Sequence, residues 1–508
     1  MTLLLDGNSL TTRDVLQVAR TNLKAGLGSS ARKRMKESRK WVDKAIRQHD
    51  AVYGVTTGFG AFQNVSIPPE NLRKVQRNMI LSHCAGVGEP FPEEVVRAMM
   101  LLRANALAKG FSGIRVSTVE RLLAMLNAGI HPVVPSQGSV GASGDLAPLS
   151  HVAAALIGEG EVTYRGRTMS SRTALRKAGI SPVVLEAKEG IALNNGTQAM
   201  TAVGVLALHE AEVLADMADL AVSLTLEAIK GKSAPFHPSV HRIRPHAGQA
   251  KSAANIRSMI RGSHLVDVGD IDTMDILQDS YAVRCAPQVH GASRDAMSHV
   301  RKVLETEINS ATDNPLIFVR ENSAFSAGNF HGQPVALVMD FLSLAVAELG
   351  NISERRTAKL MDKNHNAGLP AFLARNPGLD SGLMIAQYTA AALVSENKVL
   401  IHPASGDSIP TSANQEDHVS MGTISARHAA RVVENVRHVL AIELLCATRA
   451  MEYREDRPGF GSQRAAATIR RIVPPKDGDD ELTSSIRLVA HAIKDEAIGL
   501  TQKGLRKK

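Results

Sequence analysis

Residues 201–229 read TAVGVLALHEAEVLADMADLAVSLTLEAI, and this stretch decides the fold. On a helix, residues three and four apart share a face. Here Val203, Val205, Leu206, Leu208, Val213, Leu214, Met217, Leu220, Val222, Leu224 and Leu226 leave no continuous polar face. A helix apolar on every side has to be enclosed by other helices. The stretches 335–349, 383–394 and 432–445 repeat the pattern. The expectation is a mainly α protein with a large central bundle of long helices, extended by association of subunits.

Upstream the character differs. Ser9-Leu10-Thr11-Thr12-Arg13-Asp14 reads as a capped helix start. Gly-rich loops follow at 53–60 and 132–144, the second leading into an apolar helix over 147–156. Downstream, Pro474-Pro475-Lys476-Asp477-Gly478-Asp479-Asp480 reads as a linker before a final helix over 483–501. The composition thus divides the chain into a loop-rich region 1–195, a long-helix core 196–473 and a C-terminal linker and helix 474–508.

Aromatic residues make up only 3% of the 508, with Trp41 the single tryptophan, so the core is aliphatic and Ala-rich. The net charge of +9 is spread along the chain. Its denser patches, Arg32-Lys33-Arg34 with Lys36, Arg39 and Lys40, and the tail Lys503 with Arg506-Lys507-Lys508, carry no aromatic interleaving, so neither nucleic acid nor membrane is expected as a partner. Met1-Thr2-Leu3-Leu4-Leu5-Asp6 lacks the basic start and long apolar run of a secretory signal. Cys84, Cys285 and Cys446 have no metal-ligand spacing and read as reduced thiols of a cytoplasmic protein. No metal, P-loop or dinucleotide motif is present.

Gly138-Ser139-Val140-Gly141-Ala142-Ser143-Gly144-Asp145-Leu146-Ala147-Pro148-Leu149-Ser150-His151 carries the chemistry. A tight turn at Ala142-Ser143-Gly144 allows the Gly144 nitrogen to attack the Ala142 carbonyl carbon, because glycine has no Cβ to block the approach. Loss of two waters, the second from the Ser143 hydroxyl, leaves a five-membered ring with a conjugated methylene. That is an electrophile no side chain supplies.

This fourteen-residue run resembles the prosthetic loop of the histidine and aromatic amino-acid ammonia-lyase family. The resemblance extends from Leu5-Asp6-Gly7 to about Ala465. It implies a methylidene-imidazolone formed from Ala142, Ser143 and Gly144 in the N-terminal region, no dissociable cofactor, and a homotetramer with shared active sites. The implied reaction converts L-histidine to trans-urocanate and ammonia, the first step of histidine degradation.

The same resemblance assigns residues. Tyr53, opening Tyr53-Gly54-Val55-Thr56-Thr57-Gly58-Phe59-Gly60, matches the catalytic base, although histidine-specific members usually carry Asn where Thr56 stands. The pair Ser82-His83 matches the histidine-specific pattern and places His83 on the substrate. Asn195, within Asn194-Asn195-Gly196-Thr197-Gln198, supplies an amide to the substrate or ring oxygen. Gln278, Tyr281 and Arg284 match in turn; Arg284 suits an α-carboxylate because its donors fit two oxygens together. Phe330, within Gly328-Asn329-Phe330-His331-Gly332, is placed against the ring or substrate. With His83, Glu416 engages the imidazole or amine, and Gln415 fits the histidine-specific pattern as a substrate-binding residue.

Three other readings stay open: a tyrosine or phenylalanine ammonia-lyase or aminomutase of the same family, a non-catalytic helical scaffold, and, last, a basic nucleic-acid binder. Ser82-His83 and Gln415 weigh against the first.

Overall fold

A computed structural model of the protein describes residues 2–48, 50–268 and 277–500. The basic tail from Lys503 onward and the expected helix end at 501 lie outside them. The chain forms two compact units: Met1–Leu206, Arg301–Asp340 and Pro403–Arg427 make the first, and Ala207–Val300, Phe341–His402 and His428–Lys508 the second. The boundary read at 195/196 falls inside the first unit, and 474–508 is part of the second, so regions of like composition do not coincide with compact units.

The long helices expected from apolar runs are present and extend beyond them. They are Gln198–Ala228, Gln333–Met361, Met384–Leu400 and Gly422–Met451. Leu146–Leu156 matches the shorter apolar run. Gln333–Met361 is, among the described residues, the one helix long and apolar enough to cross a membrane, but 67% of its most apolar window is buried within the protein. It is a core helix by packing.

The first unit surrounds the helix Glu93–Ala108, whose residues are buried from Val95 onward. Its helix Thr12–Arg20 starts on a capping box in which Thr11 and Asp14 satisfy each other's backbone N–H groups. Short strand pairs, which the sequence reading did not anticipate, trim this unit. Thr2–Leu5 runs parallel to Lys24–Leu27, while Ile130–Pro132, Glu161–Tyr164 and Arg167–Ser170 form an antiparallel sheet.

The second unit buries charge inside its apolar helices. Asp219 accepts from His290 Nδ1 at 2.8 Å, Arg294 Nη2 at 2.6 Å, Asn255 Nδ2 at 2.8 Å and the Ser252 hydroxyl. Burial opposes its charge, but these donors hold the carboxyl down to about 2. Burial, with the Arg356 and Arg294 guanidiniums nearby, holds His290 below its usual range against the raising effect of Asp219. Arg356 pairs with Glu443 through Nε at 2.6 Å and Nη2 at 2.7 Å, and Thr225 and Ser353 complete the carboxylate's partners. Each oxygen of these two carboxylates, Asp219 and Glu443, is satisfied, as burial of an ion pair requires.

Candidate active site

The loop around Ala142-Ser143-Gly144 is folded tightly by its glycines. Gly141 and Gly144 have φ of +68° and +72°, in the left-handed region that favours glycine. A Cβ on Gly144 would collide with the Gly196 carbonyl, and one on Gly141 with the Ser420 hydroxyl. Gly144 and Gly196 pair as an isolated parallel bridge, and the Asp145 N–H donates to the Gly196 carbonyl at 2.7 Å.

Asp145 pins the loop from below. It is fully buried and accepts from Ser139 Oγ at 2.9 Å, Met200 N at 2.9 Å and the Thr423 hydroxyl. Burial pushes its carboxyl above the usual range, against the lowering effect of those donors. Ser139 in turn accepts from the Gly141 N–H at 3.2 Å.

Asn195 faces the Ala142-Ser143-Gly144 tripeptide directly. Its Nδ2 donates to the Ser143 carbonyl at 2.9 Å and to the Ser143 hydroxyl at 2.5 Å, while its Oδ1 is buried without a partner. A tight turn lacking Cβ atoms at its contacts, a half-buried hydroxyl and an orphaned amide oxygen fit a ring built from these three residues.

Tyr53 lies half-buried, its phenol oxygen accepting from the Gly60 N–H at 3.1 Å and its ring edge-on to Phe59. Thr56 holds this turn: its hydroxyl donates to the Asp50 carbonyl at 2.6 Å and accepts from Val52 N at 2.9 Å. A Cβ on Gly60 would stand 2.9 Å from Ser412 Oγ, so the Tyr53 loop abuts the turn carrying Gln415 and Glu416. There Ser412, Ala413 and Asn414 all have positive φ, at 53°, 53° and 64°. Thr411 and Glu416 close the turn by backbone bonds of 2.9 and 3.2 Å, and Thr411 Oγ1 donates to Glu416 Oε2 at 2.8 Å. Gln415 is exposed at its tip.

His83 ends the helix Leu72–His83, with Ser82 Oγ 3.1 Å from its Nδ1. The strand after it, Val87–Pro90, pairs with Pro135–Gln137 immediately before the Gly138–His151 loop. Phe330 is half-exposed in the turn ahead of Gln333–Met361, and a Cβ on the neighbouring Gly332 would press on Met200 and Ser420. Thus Tyr53, His83, Ala142, Ser143, Gly144, Asn195, Phe330, Gln415 and Glu416 all belong to the first unit.

Gln278, Tyr281 and Arg284 belong to the second unit. Gln278 is exposed, and Tyr281 is 71% exposed on the short helix Tyr281–Arg284. The Arg284 guanidinium stacks over the Tyr281 ring at 4.6 Å, and its Nε is buried without a hydrogen-bond partner. That guanidinium has donors to spare for an anion.

Several supporting residues escaped the sequence reading. Arg103, Met200 and Thr423 approach the loop from distant parts of the chain and belong to no motif. Lys188 pairs with Asp313 at 2.7 Å, both fully buried, beneath the same region. Of these, only Asp313 stood in a stretch that the sequence reading matched to the family, Asp313-Asn314-Pro315.

The model of the aromatic amino acid lyase family matches residues 10–471. Histidine ammonia-lyase from Caldanaerobacter subterraneus subsp. tengcongensis is 54% identical over 480 residues, covering 94% of each chain. Among solved structures, histidine ammonia-lyase from Trypanosoma cruzi is 42% identical with a TM-score of 0.91, covering 98% of this chain and 94% of that one. Tyrosine aminomutase from Streptomyces globisporus is 39% identical with a TM-score of 0.93, covering 98% of both. With a family match spanning nearly its whole length, and with relatives this similar, the chain belongs to the aromatic amino acid lyases.

Proposed function

We propose that the chain is an ammonia-lyase acting on L-histidine, releasing trans-urocanate and ammonia. The observation that carries this reading is the Asn195 amide set on Ser143 within the glycine turn. When formed, the methylidene-imidazolone of Ala142, Ser143 and Gly144 supplies the electrophile that activates the departing amine. Tyr53 takes the β-proton, its phenol oxygen oriented by the Gly60 N–H. Arg284 holds the α-carboxylate, with Tyr281 stacked against it to stabilise developing charge and Gln278 alongside. Ser82 fixes the His83 ring through Nδ1, leaving Nε2 for the substrate imidazole. Glu416, oriented by Thr411, accepts from the imidazole or ammonium, and Gln415 and Phe330 line the imidazole's surroundings. Asn195 stabilises charge that develops on the ring.

The same reading makes the protein a cytoplasmic homotetramer with shared active sites. Supporting it, Leu337, Phe341 and Leu344 sit one turn apart on a helix while 56%, 43% and 47% exposed, a stripe that another copy would cover. Light scattering that gives a monomer overturns this part.

The deciding experiment is incubation with L-histidine, L-tyrosine and L-phenylalanine while following absorbance of the conjugated acid. Urocanate formation that disappears in Ser143→Ala supports the proposal. Cinnamate, coumarate or a β-amino acid as product supports the family's other reactions instead.

A further inference from the structure

Arg103 lies in the fully enclosed part of helix Glu93–Ala108, 1% exposed. Its Nε and Nη2 both donate to the Ala192 carbonyl, at 2.9 and 2.6 Å. Its Nη1 donates to the Asn195 carbonyl at 2.9 Å and to Gln198 Oε1 at 2.8 Å. A Cβ on Gly196 would collide with that same Nη1, so the turn lies directly on the guanidinium. Gln198 is anchored in turn by its Nε2 donating to Thr312 Oγ1 at 2.7 Å.

The other side of this turn faces the tripeptide. The Asn195 side chain meets Ser143, and the Gly196 carbonyl meets the N–H of Asp145. One planar cation therefore holds the backbone carbonyls of Ala192 and Asn195 and the Gln198 side chain beyond, around the residue that touches the Ser143 hydroxyl. The geometry points to Arg103 as the positioning residue that sets the Asn195-Gly196 turn against Ala142-Ser143-Gly144, so that ring closure depends on it.

This inference rests on the reading that the tripeptide cyclises. In that step Gly144 N bonds to the Ala142 carbonyl carbon, and the carbonyl oxygen leaves as water with the amide hydrogens of Gly144 and Ser143. The Ser143 Cβ–Oγ and Cα–H bonds then break, releasing a second water and leaving the Cα=Cβ double bond. No oxidant is consumed. Arg103 touches none of these atoms; it acts by restricting the turn that confines them. Such a fork, gripping three oxygens in fixed directions, is not reproduced by the point charge of lysine.

The test is the intact mass and the loop-peptide mass of full-length wild type, Arg103→Lys and Arg103→Met, each purified as folded protein by size exclusion and circular dichroism. Wild type is expected to lack two waters. Folded Arg103→Met is expected to carry the open tripeptide in a fraction about tenfold larger or more, with Arg103→Lys between them. Folded Arg103→Met as fully cyclised as wild type overturns the inference. If Arg103→Met does not fold, Arg103→Lys decides by the same criterion. If neither folds, Arg103 serves folding in general and the inference is equally overturned. A wild type that keeps both waters sinks the cyclisation reading itself, an outcome distinct from all of these.

Discussion

Gly144 lies against Gly196 with no room for a side chain between them, paired backbone to backbone beside the 2.7 Å bond from Asp145 N to the Gly196 carbonyl. Neither residue is near the other in sequence, yet Gly196 stands where a Cβ on Gly144 would go, while Arg103, Gln198 and Thr312 hold Gly196 itself to glycine.

Gly144→Ala therefore meets two penalties together. Left-handed backbone at an alanine costs about 1–2 kcal/mol. The collision with a backbone oxygen adds strain that no rotamer relieves, because the Gly196 turn is fixed from behind. Expected is a loss of about 2–4 kcal/mol in denaturant unfolding, with the open tripeptide retained in the intact mass.

Asn195→Ala removes the amide that contacts Ser143. For an oriented neutral donor of this kind, kcat is expected to fall about 100- to 1000-fold while KM changes little. Rates are to be divided by the fraction of chains lacking two waters, so that catalysis is separated from ring formation. A fall confined to that fraction would mean the amide builds the site but plays no part in turnover.

Arg284→Met takes away the proposed carboxylate anchor. KM for L-histidine is expected to rise on the order of 10- to 100-fold, as the loss of a two-pronged charged contact implies. Histamine, which has no carboxylate, is expected to inhibit wild type and variant equally. Weaker inhibition by histamine in the variant would assign Arg284 a different role.

Stability responds to pH through His290. Its folded pKa lies below the unfolded value because burial and two nearby guanidiniums disfavour the imidazolium. Below about pH 6.5 the unfolded chain binds a proton that the native ring refuses, so stability present at neutral pH drains away as the pH falls. Each such group contributes a slope of at most about 1.4 kcal/mol per pH unit. His131, His151 and His241 are shifted the same way. Asp219, held at about 2, begins to lose its contribution only below its unfolded value near 4. Melting curves between pH 8 and pH 5 are expected to drop steeply for wild type and less steeply for His290→Gln. Identical slopes would show that His290 is not the group responsible.

Apolar runs and the family-matching Gly138–His151 stretch were legible because both are local. A fully enclosed helix such as Gln198–Ala228 announces itself by lacking a polar face, and Thr11 with Asp14 announces a helix start. What stayed hidden depends on residues far apart: Thr423 reaches Asp145 across 278 positions, and Arg103 reaches Asn195 across 92. The final helix was read too long for a related reason. It ends at Lys494, where Glu496 turns left-handed and Ala497 N closes back onto the Ala492 carbonyl at 2.9 Å. Glycine usually marks such an ending, and glutamate gives no warning. The short strands at 87–90 and 135–137 lacked the alternation that would reveal them.

Ser412, Ala413 and Asn414 have a consequence of their own. Three consecutive non-glycine residues in left-handed backbone cost about 3–6 kcal/mol, comparable with the entire net stability of many domains. Glycine replacements in this turn would therefore toughen the protein against heat while loosening the carboxylate at its base. On the proposed role of Glu416, durability and turnover pull in opposite directions here, so a thermostabilised variant selected without an activity screen is expected to accumulate changes at these positions.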